Sequence, residues 1–250
     1  KVYIMNVTID LEKYRYLSEP YPHCVIDNFF DEDTANKLHD ELTALSIENA
    51  THKFTDKNSP FEYNKFAFSN IDAFRPSLKE AFVYLNSKEF IAQIEKLTGI
   101  TGIVYGDYKL VGAGVHIITK GGYLGMHTDF NTYYHPTHGK LDRRINLLVY
   151  MNKDWDSSYK GDLLMYNPRH VSDPNNIPVQ KRVQPNFNRC LVFSTTNRSV
   201  HGHPEPLNVS SEDIRRQSIA VYYYTKNQNQ HIDFEGDRQH GTLWHRPPMV

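Results

Sequence analysis

The spacing of apolar and polar positions changes part-way along the chain. Near the N-terminus, Pro20 to Phe30 reads as a strand entering a turn. Asp31-Glu32-Asp33-Thr34 follows, offering the capping side chain that a helix start needs. Ala35, Leu38, Leu42 and Leu45 then recur at the spacing of one helical face, which predicts a helix reaching Ser46. Two more helices are predicted over Pro76 to Leu85 and Glu89 to Leu97, the second stopped by Gly99. The stretch from Glu48 to Ser69 is polar, shows no period and is expected to be irregular.

From Thr101 onward the pattern is that of short strands. Candidates are Gly114 to Thr119, Leu124 to His127, Arg144 to Tyr150, Gly161 to Tyr166, Gln180 to Val183, Cys190 to Ser194, Ser199 to His203 and Arg216 to Tyr224. Short strands in series with turn signals between them predict a mainly β sandwich or jelly roll with flanking N-terminal helices. The expected organisation is an α/β flanking region over 1–100, the β core over 101–225 and a polar tail over 226–250.

Composition narrows the class. The 250 residues suit one large domain or two small ones, and the apolar fraction of 39% supplies a core. Seventeen tyrosines and thirteen phenylalanines suit a β interior with aromatic walls. A net charge of −1 demands no polyanion, so no nucleic-acid partner is expected. Cys24 and Cys190 sit in apolar, strand-like runs and read as two buried thiols, with one disulfide as the alternative, and so low a cysteine count favours a reducing compartment. No apolar run approaches the ~20 residues that span a bilayer, and the start turns polar too soon for a signal peptide. The expectation is a soluble, cytoplasmic protein without a membrane partner; composition is silent on oligomeric state.

The chemistry begins at His127-Thr128-Asp129, which follows a glycine-rich approach. On extended backbone, residues two apart point to the same side, so one strand end aims an imidazole and a carboxylate at one point. Two histidines and one carboxylate on one face of a metal, with open positions opposite, form the site of non-haem Fe(II) oxygenases. The motif alone is weak, since His231-Ile232-Asp233 repeats it; that copy has too little chain after it to complete a barrel. A third ligand has to come from a later strand. Ser199-Val200-His201-Gly202-His203 offers two histidines of the same parity, His201 and His203. In the last strong strand, alternation puts Arg216, Ser218, Ala220 and Tyr222 on one face. A guanidinium entering a barrel is costly unless it meets an anion, either a bound carboxylate or a structural salt-bridge partner. Asn146, Leu148 and Tyr150 share one face of another strand and form a candidate wall for the same ligand.

Taken in order, these stretches resemble the 2-oxoglutarate/Fe(II)-dependent oxygenases, and within them the prolyl-4-hydroxylase-like group. The resemblance is carried by His127-Thr128-Asp129-Phe130-Asn131, Arg143 through Trp155, Gly161-Asp162-Leu163, Asn188 through Ser194, His201-Gly202-His203-Pro204, and Arg216-Gln217-Ser218 leading into Tyr222-Tyr223-Tyr224-Thr225. It covers residues 110 to 225; Asp162 stands where many relatives carry a second glycine. The resemblance implies a double-stranded β-helix. It implies His127, Asp129 and His201 as iron ligands, which selects His201 over His203. It implies Arg216 as anchor of the 2-oxoglutarate C5 carboxylate, with Tyr150 and Ser218 assisting. The implied cofactors are Fe(II), 2-oxoglutarate and O2, with ascorbate as a candidate reductant.

The implied reaction is hydroxylation of an unactivated C–H bond, coupled to conversion of 2-oxoglutarate to succinate and CO2. Asp129 favours hydroxylation over halogenation, because a halogenating site lacks the carboxylate. The first-choice substrate is a prolyl residue of a protein or peptide; the alternative is a free amino acid or other small metabolite. A non-catalytic jelly roll binding a metal or sugar, and a metal-dependent isomerase on the same barrel, are the competing classes; neither needs Arg216 beside a full ligand set. The aromatic segment 131–141, directly after the ligands, is a candidate substrate lid.

Overall fold

The structure is a computed structural model that describes residues 7, 9–10, 13–106, 109–170, 172–173, 176–226 and 239–247. Three helices precede the main β region: α1 (Glu32–Thr43), α2 (Pro76–Leu85) and α3 (Lys88–Thr98). Asp31 caps α1 by accepting from the Thr34 amide at 2.9 Å, and Ser87 caps α3 by accepting from the Phe90 amide. Pro76 opens α2, where its missing N–H costs nothing. Gly99, at φ +73°, ends α3 in the left-handed conformation. The first helix stops at Thr43, short of the predicted Ser46. There Arg215 takes over its exposed carbonyls, donating to Thr43 O and Leu45 O. Among the described residues no helix is long and apolar enough to cross a membrane.

The strands are β1 (His23–Ile26), β2 (His52–Phe54), β3 (Glu62–Phe68), β4 (Gly114–Thr128), β5 (Thr132–His135), β6 (Gly139–Tyr150), β7 (Leu163–Tyr166), β8 (Lys181–Val183), β9 (Arg189–Ser194), β10 (Val200–His203), β11 (Arg216–Thr225) and β12 (Leu243–Trp244). All their pairings are antiparallel. They run β1-β9-β6-β11-β4-β10-β7-β8, with β3 and β12 also on β4, β2 on β3 and β5 on β6. This is the curled antiparallel sheet of a double-stranded β-helix, as the sequence predicts.

Alternation sorts the two faces of the sheet. Val115, Ile117, Ile145, Leu147, Val149, Ile219, Val221 and Tyr223 pack with Leu38, Leu78, Phe82 and Phe90 of the helices. Tyr150, Leu163, Met165, Leu191 and Phe193 point the other way and fill the inside of the curl. The predicted split of the last strand is observed: Ile219 and Val221 face the helices, and Arg216 and Ser218 face the inside. Cys24 and Cys190 are buried free thiols on this framework.

Two expectations need correction. The segment Glu48 to Ser69 is not irregular: it contains the β2–β3 hairpin, and β3 pairs with β4. Its residues obey no simple alternation because the register shifts between Tyr63 and Lys65, with Asn64 at φ +46°. The two strands predicted over 114–119 and 124–127 are one bent strand, β4. Gly121, at φ +70°, turns the chain without ending the ladder, and the bend is pinned by Gly121 N–H to Leu207 O and Leu207 N–H to Gly122 O. The first half of β4 pairs with β11 and its second half with β10 and β12, while β3 follows it through the bend and pairs with both halves.

The contact between β4 and β10 is unusually close at Gly202. A Cβ there would stand 2.6 Å from Gly125 O and 2.9 Å from Leu124 O, both fixed backbone atoms. Gly202→Ala should therefore push the strands apart and cost roughly 1–3 kcal/mol in urea-induced unfolding of the metal-free protein. An unchanged midpoint would show that the two strands part without penalty.

Candidate active site and metal centre

The curl brings three sequence-predicted residues together at one end of β4. In the β10–β4 pairing, His201 stands directly opposite His127, and the ring centroids are 4.4 Å apart. Asp129 follows two residues after His127, just past the strand end. His127 Nε2 lies 3.6 Å from Asp129 Oδ1, and His201 Nε2 lies 3.4 Å from Asp129 Oδ2. One ligand atom from each residue falls within 4.8 Å of the others, and all three residues are buried.

Local backbone contacts set the tautomers. His127 Nδ1 lies 2.9 Å from Gly125 O, and His201 Nδ1 lies 2.9 Å from Ser199 O. A carbonyl only accepts, so each Nδ1 carries the proton and each Nε2 presents a lone pair to the cluster. Two imidazole nitrogens and one carboxylate, buried and on one side of a cavity, are the donor set of a facial Fe(II) site. Burial lowers the His201 pKa to about 4 against the pull of Asp129, so its imidazole is neutral and ready for a metal at ordinary pH. His203, the competing histidine, lies outside this cluster. The register shifts between His201 and His203, and His203 becomes a buried wall residue whose Nδ1 has no hydrogen-bond partner.

Asp129 is held from behind. Its Oδ2 accepts from Asn146 Nδ2 at 2.8 Å and pairs with Arg143 Nη2 at 3.1 Å, while Arg143 Nη2 donates to Asn146 Oδ1 at 2.8 Å. Burial pushes the Asp129 pKa up, but Arg143 and the two imidazoles outweigh it and hold the carboxyl well below the usual range. Two rings cover Arg143, its guanidinium carbon lying 3.4 Å from the Tyr222 ring centroid and 4.5 Å from that of Phe130.

The sequence signal for Arg143 was misleading. Strict alternation puts Arg144 on the face of Asn146, Leu148 and Tyr150. The β6–β11 register shifts at this point, pairing Tyr223 with Ile145 and Tyr224 with Arg143. Arg144 is skipped, and Arg143 turns inward.

The other end of the cavity is formed by Arg216, Ser218 and Leu148. Arg216 is buried; its Nε donates to Gly161 O at 2.7 Å, and among the described residues no carboxylate forms an ion pair with it. The alternative of a structural salt bridge thus has no partner there. Tyr150 stands opposite Ser218 in the β6–β11 register, its ring centroid 5.0 Å from the Arg216 guanidinium carbon. It lies behind the cavity wall, fully buried, with a hydroxyl that has no hydrogen-bond partner. Burial raises its pKa and the Arg216 charge pulls it back, so the phenol stays protonated and is a donor. A guanidinium without a counter-ion and a phenol without an acceptor are the groups a bound carboxylate satisfies.

The cavity, about 240 Å³, is completed by residues the sequence did not single out. Lys65 and Glu62 of β3, ion-paired at 2.7 Å, form one side with Phe54 and His116. Thr242 and Trp244 come from the C-terminal segment. There β12 adds to the edge of β4, with Trp244 opposite His127 and its ring 5.3 Å from that imidazole. Phe61 stacks on Trp244, with ring centroids 4.7 Å apart. The segment 131–141 behaves differently from the expected lid. Thr132–His135 pairs with residues 139–142 as a hairpin, Tyr133 packs on Tyr224, and none of residues 131–141 lines the cavity. His231 and Asp233 lie outside the described residues.

Comparison with known proteins agrees with this geometry. Residues 113–224 match the 2OG-Fe(II) oxygenase superfamily. Egl nine homolog 1 of Homo sapiens is 23% identical over 209 residues, covering 80% of this chain, and the chain spans 43% of that protein's length. A Trichoplax adhaerens prolyl hydroxylase, solved with a hypoxia inducible factor oxygen degradation domain peptide fragment, superposes with a TM-score of 0.56 at 19% identity, over 81% of this chain and 83% of that one. A Pseudomonas putida prolyl-4-hydroxylase superposes with a TM-score of 0.55 at 14% identity, over 82% and 92%. The family's metal and co-substrate, Fe(II) and 2-oxoglutarate, fit the two ends of the cavity: a facial donor set at one, an uncompensated guanidinium at the other. Over residues 113–224 the chain thus matches the 2OG-Fe(II) oxygenase superfamily, with prolyl hydroxylases among the solved structures whose fold it shares.

Proposed function

We propose that the protein is an Fe(II)- and 2-oxoglutarate-dependent dioxygenase that hydroxylates a prolyl residue in a protein or peptide. The observation that carries this reading is the cavity itself, where His127, Asp129 and His201 share one space with the buried, unpaired Arg216. In this reading the three clustered side chains hold iron, and Arg216 forks onto the C5 carboxylate of 2-oxoglutarate. Ser218 donates from the same strand face, Tyr150 from behind, and Leu148 supplies the apolar wall. Asn146 acts on Asp129 rather than on the co-substrate. The first hundred residues are a flank of the same catalytic unit, a reading supported by the places of β1 and β3 in its sheet.

When bound, iron and 2-oxoglutarate supply the oxidising power, one oxygen of O2 going into succinate and the other into the substrate hydroxyl. The chain's own residues orient and enclose. The Nδ1–H bonds of His127 and His201 fix both rings. Leu148, Leu163 and Ile118 keep the cavity wall apolar between its two charged ends.

The fold shared with prolyl hydroxylases, one of them solved with a peptide fragment, supports a prolyl substrate within a peptide. So does the Trp244 ring, which lines the cavity beside His127, since proline rings dock well on aromatic surfaces.

Two outcomes are expected. Anaerobic Fe(II) followed by 2-oxoglutarate should give the weak visible band near ~500 nm of a chelated oxo-acid on a facial iron site. His127→Ala should abolish it. Arg216→Ala should raise the 2-oxoglutarate concentration required by at least about thirtyfold, because truncating one half of a buried charge pair costs about 2–5 kcal/mol. Iron bound without a band would instead favour a non-catalytic binding protein.

The second outcome concerns the substrate. Proline-containing peptides should stimulate succinate formation and gain one oxygen by mass, with amino-acid analysis giving the hydroxyproline isomer. Stimulation by free proline or other free amino acids, with none by peptides, would transfer the assignment to a small-molecule hydroxylase.

A further inference from the structure

Arg143 is 1% exposed and is no part of the proposed ligand set, yet it lies one hydrogen bond behind it. Its position is built from several sides. The shifted β6–β11 register turns it inward, Tyr222 and Phe130 cover its guanidinium, and Asn146 bridges it to Asp129. Burying a guanidinium is expensive, and Asp129 is the one carboxylate ion-paired with it among the described residues. The metal cluster therefore contains a carboxylate whose negative charge is already opposed by a fixed positive charge.

We propose that Arg143 is an electrostatic positioning residue that biases the bound iron toward the ferrous state. The inference rests on the iron reading of the previous subsection. A ferric ion carries one more positive charge than a ferrous ion. A buried cation nearby therefore disfavours the loss of that electron, and low local polarity strengthens the effect. Asn146 holds the geometry of Asp129 but brings no charge. The two residues thus make separable contributions to one carboxylate: Asn146 orients it and Arg143 opposes its charge. The ferrous ion is the form that 2-oxoglutarate-dependent chemistry starts from, so the bias keeps the resting protein competent between turnovers.

The test is a mediated redox titration of the iron-loaded protein, reading the high-spin ferric signal by electron paramagnetic resonance. Mn(II) affinity and thermal unfolding are measured alongside. Arg143→Gln keeps an N–H donor for Asp129 and removes the charge. It should raise the ferric-to-ferrous ratio at fixed ambient potential at least tenfold, a fall in potential of about 59 mV for one electron. Arg143→Lys keeps the charge and should return the ratio to within threefold of wild type. Asn146→Ala should weaken Mn(II) binding but leave the ratio within threefold. If Arg143→Gln does not fold, Arg143→Met carries the same expectation. A potential unmoved by either neutral variant, or equal shifts in the glutamine, lysine and asparagine-site variants, would overturn the proposal and leave Arg143 a purely structural residue. A wild-type protein that binds no iron would overturn the iron reading as well, so the two failures are distinct.

Discussion

His201 faces His127 because β10 runs antiparallel to β4 in one register, and a slip of a single residue would turn one imidazole to the opposite face. The rest of the site presupposes this pairing. It requires β4 to leave the larger part of the sheet and join β10, which the bend at Gly121 allows. It also requires the strands to approach at Gly202 more closely than a side chain permits. Asp129 gains its position by following the same strand, two residues beyond His127. One ladder thus fixes three donors. Their side-chain torsions are then set by bonds to their own neighbourhood, Gly125 and Ser199 for the rings, Asn146 and Arg143 for the carboxylate.

The cavity holds two buried arginines in opposite situations. Arg143 is bonded to Asp129 and Asn146 and covered by two rings, so its charge is satisfied within the fold. Arg216 donates to the Gly161 carbonyl and lies beside Tyr150, with no ion-paired carboxylate among the described residues. Removing a charge from water without a partner is unfavourable by several kcal/mol even after relaxation, roughly, so a fold that keeps Arg216 in this state is poised to gain from an anion. The same comparison explains why Arg143 does not compete for that anion: its attraction is already spent on the carboxylate beside it.

Strand alternation made the scaffold of the site readable in the sequence. Arg216 and Ser218 share a face with each other, and Asn146 and Leu148 share theirs, because β6 and β11 are regular over those residues. The His-x-Asp spacing placed two members of the buried cluster for the same reason. What the sequence concealed lies where regularity fails. Arg143 replaces Arg144 at a shift in register, His203 leaves the cluster at another, and β3 is disguised by a third. Periodicity is a property of an unbroken ladder, and a single extra residue inverts every inference drawn beyond it. The bend in β4 hid in the same way, since a glycine pair inside a strand reads as a turn until its partners on both sides are known.

The cover of the cavity was illegible for a different physical reason. The first half of β3 and the segment around Trp244 line the cavity without an apolar core behind them; only further along β3 do Phe66 and Phe68 join the main core. Their inward residues are therefore mixed: Glu62 and Lys65 from one, Thr242 and Trp244 from the other. No hydrophobic period marks such a strand, and β12 is only two residues long. It is held by backbone bonds to the edge of β4, the His245 amide to Met126 O among them, and by the Trp244–Phe61 stack. Backbone pairing is nearly indifferent to side-chain identity, so these positions can vary in chemistry without loss of the fold. The strands that carry His127 and His201 have no such freedom, because their side chains are fixed by register on one side and by the small core of Met126, Val200, Leu164 and Tyr166 on the other. The cover of the cavity is accordingly built from the least patterned segments of the chain, while the His127–Asp129–His201 cluster and Arg216 sit on its most regular strands.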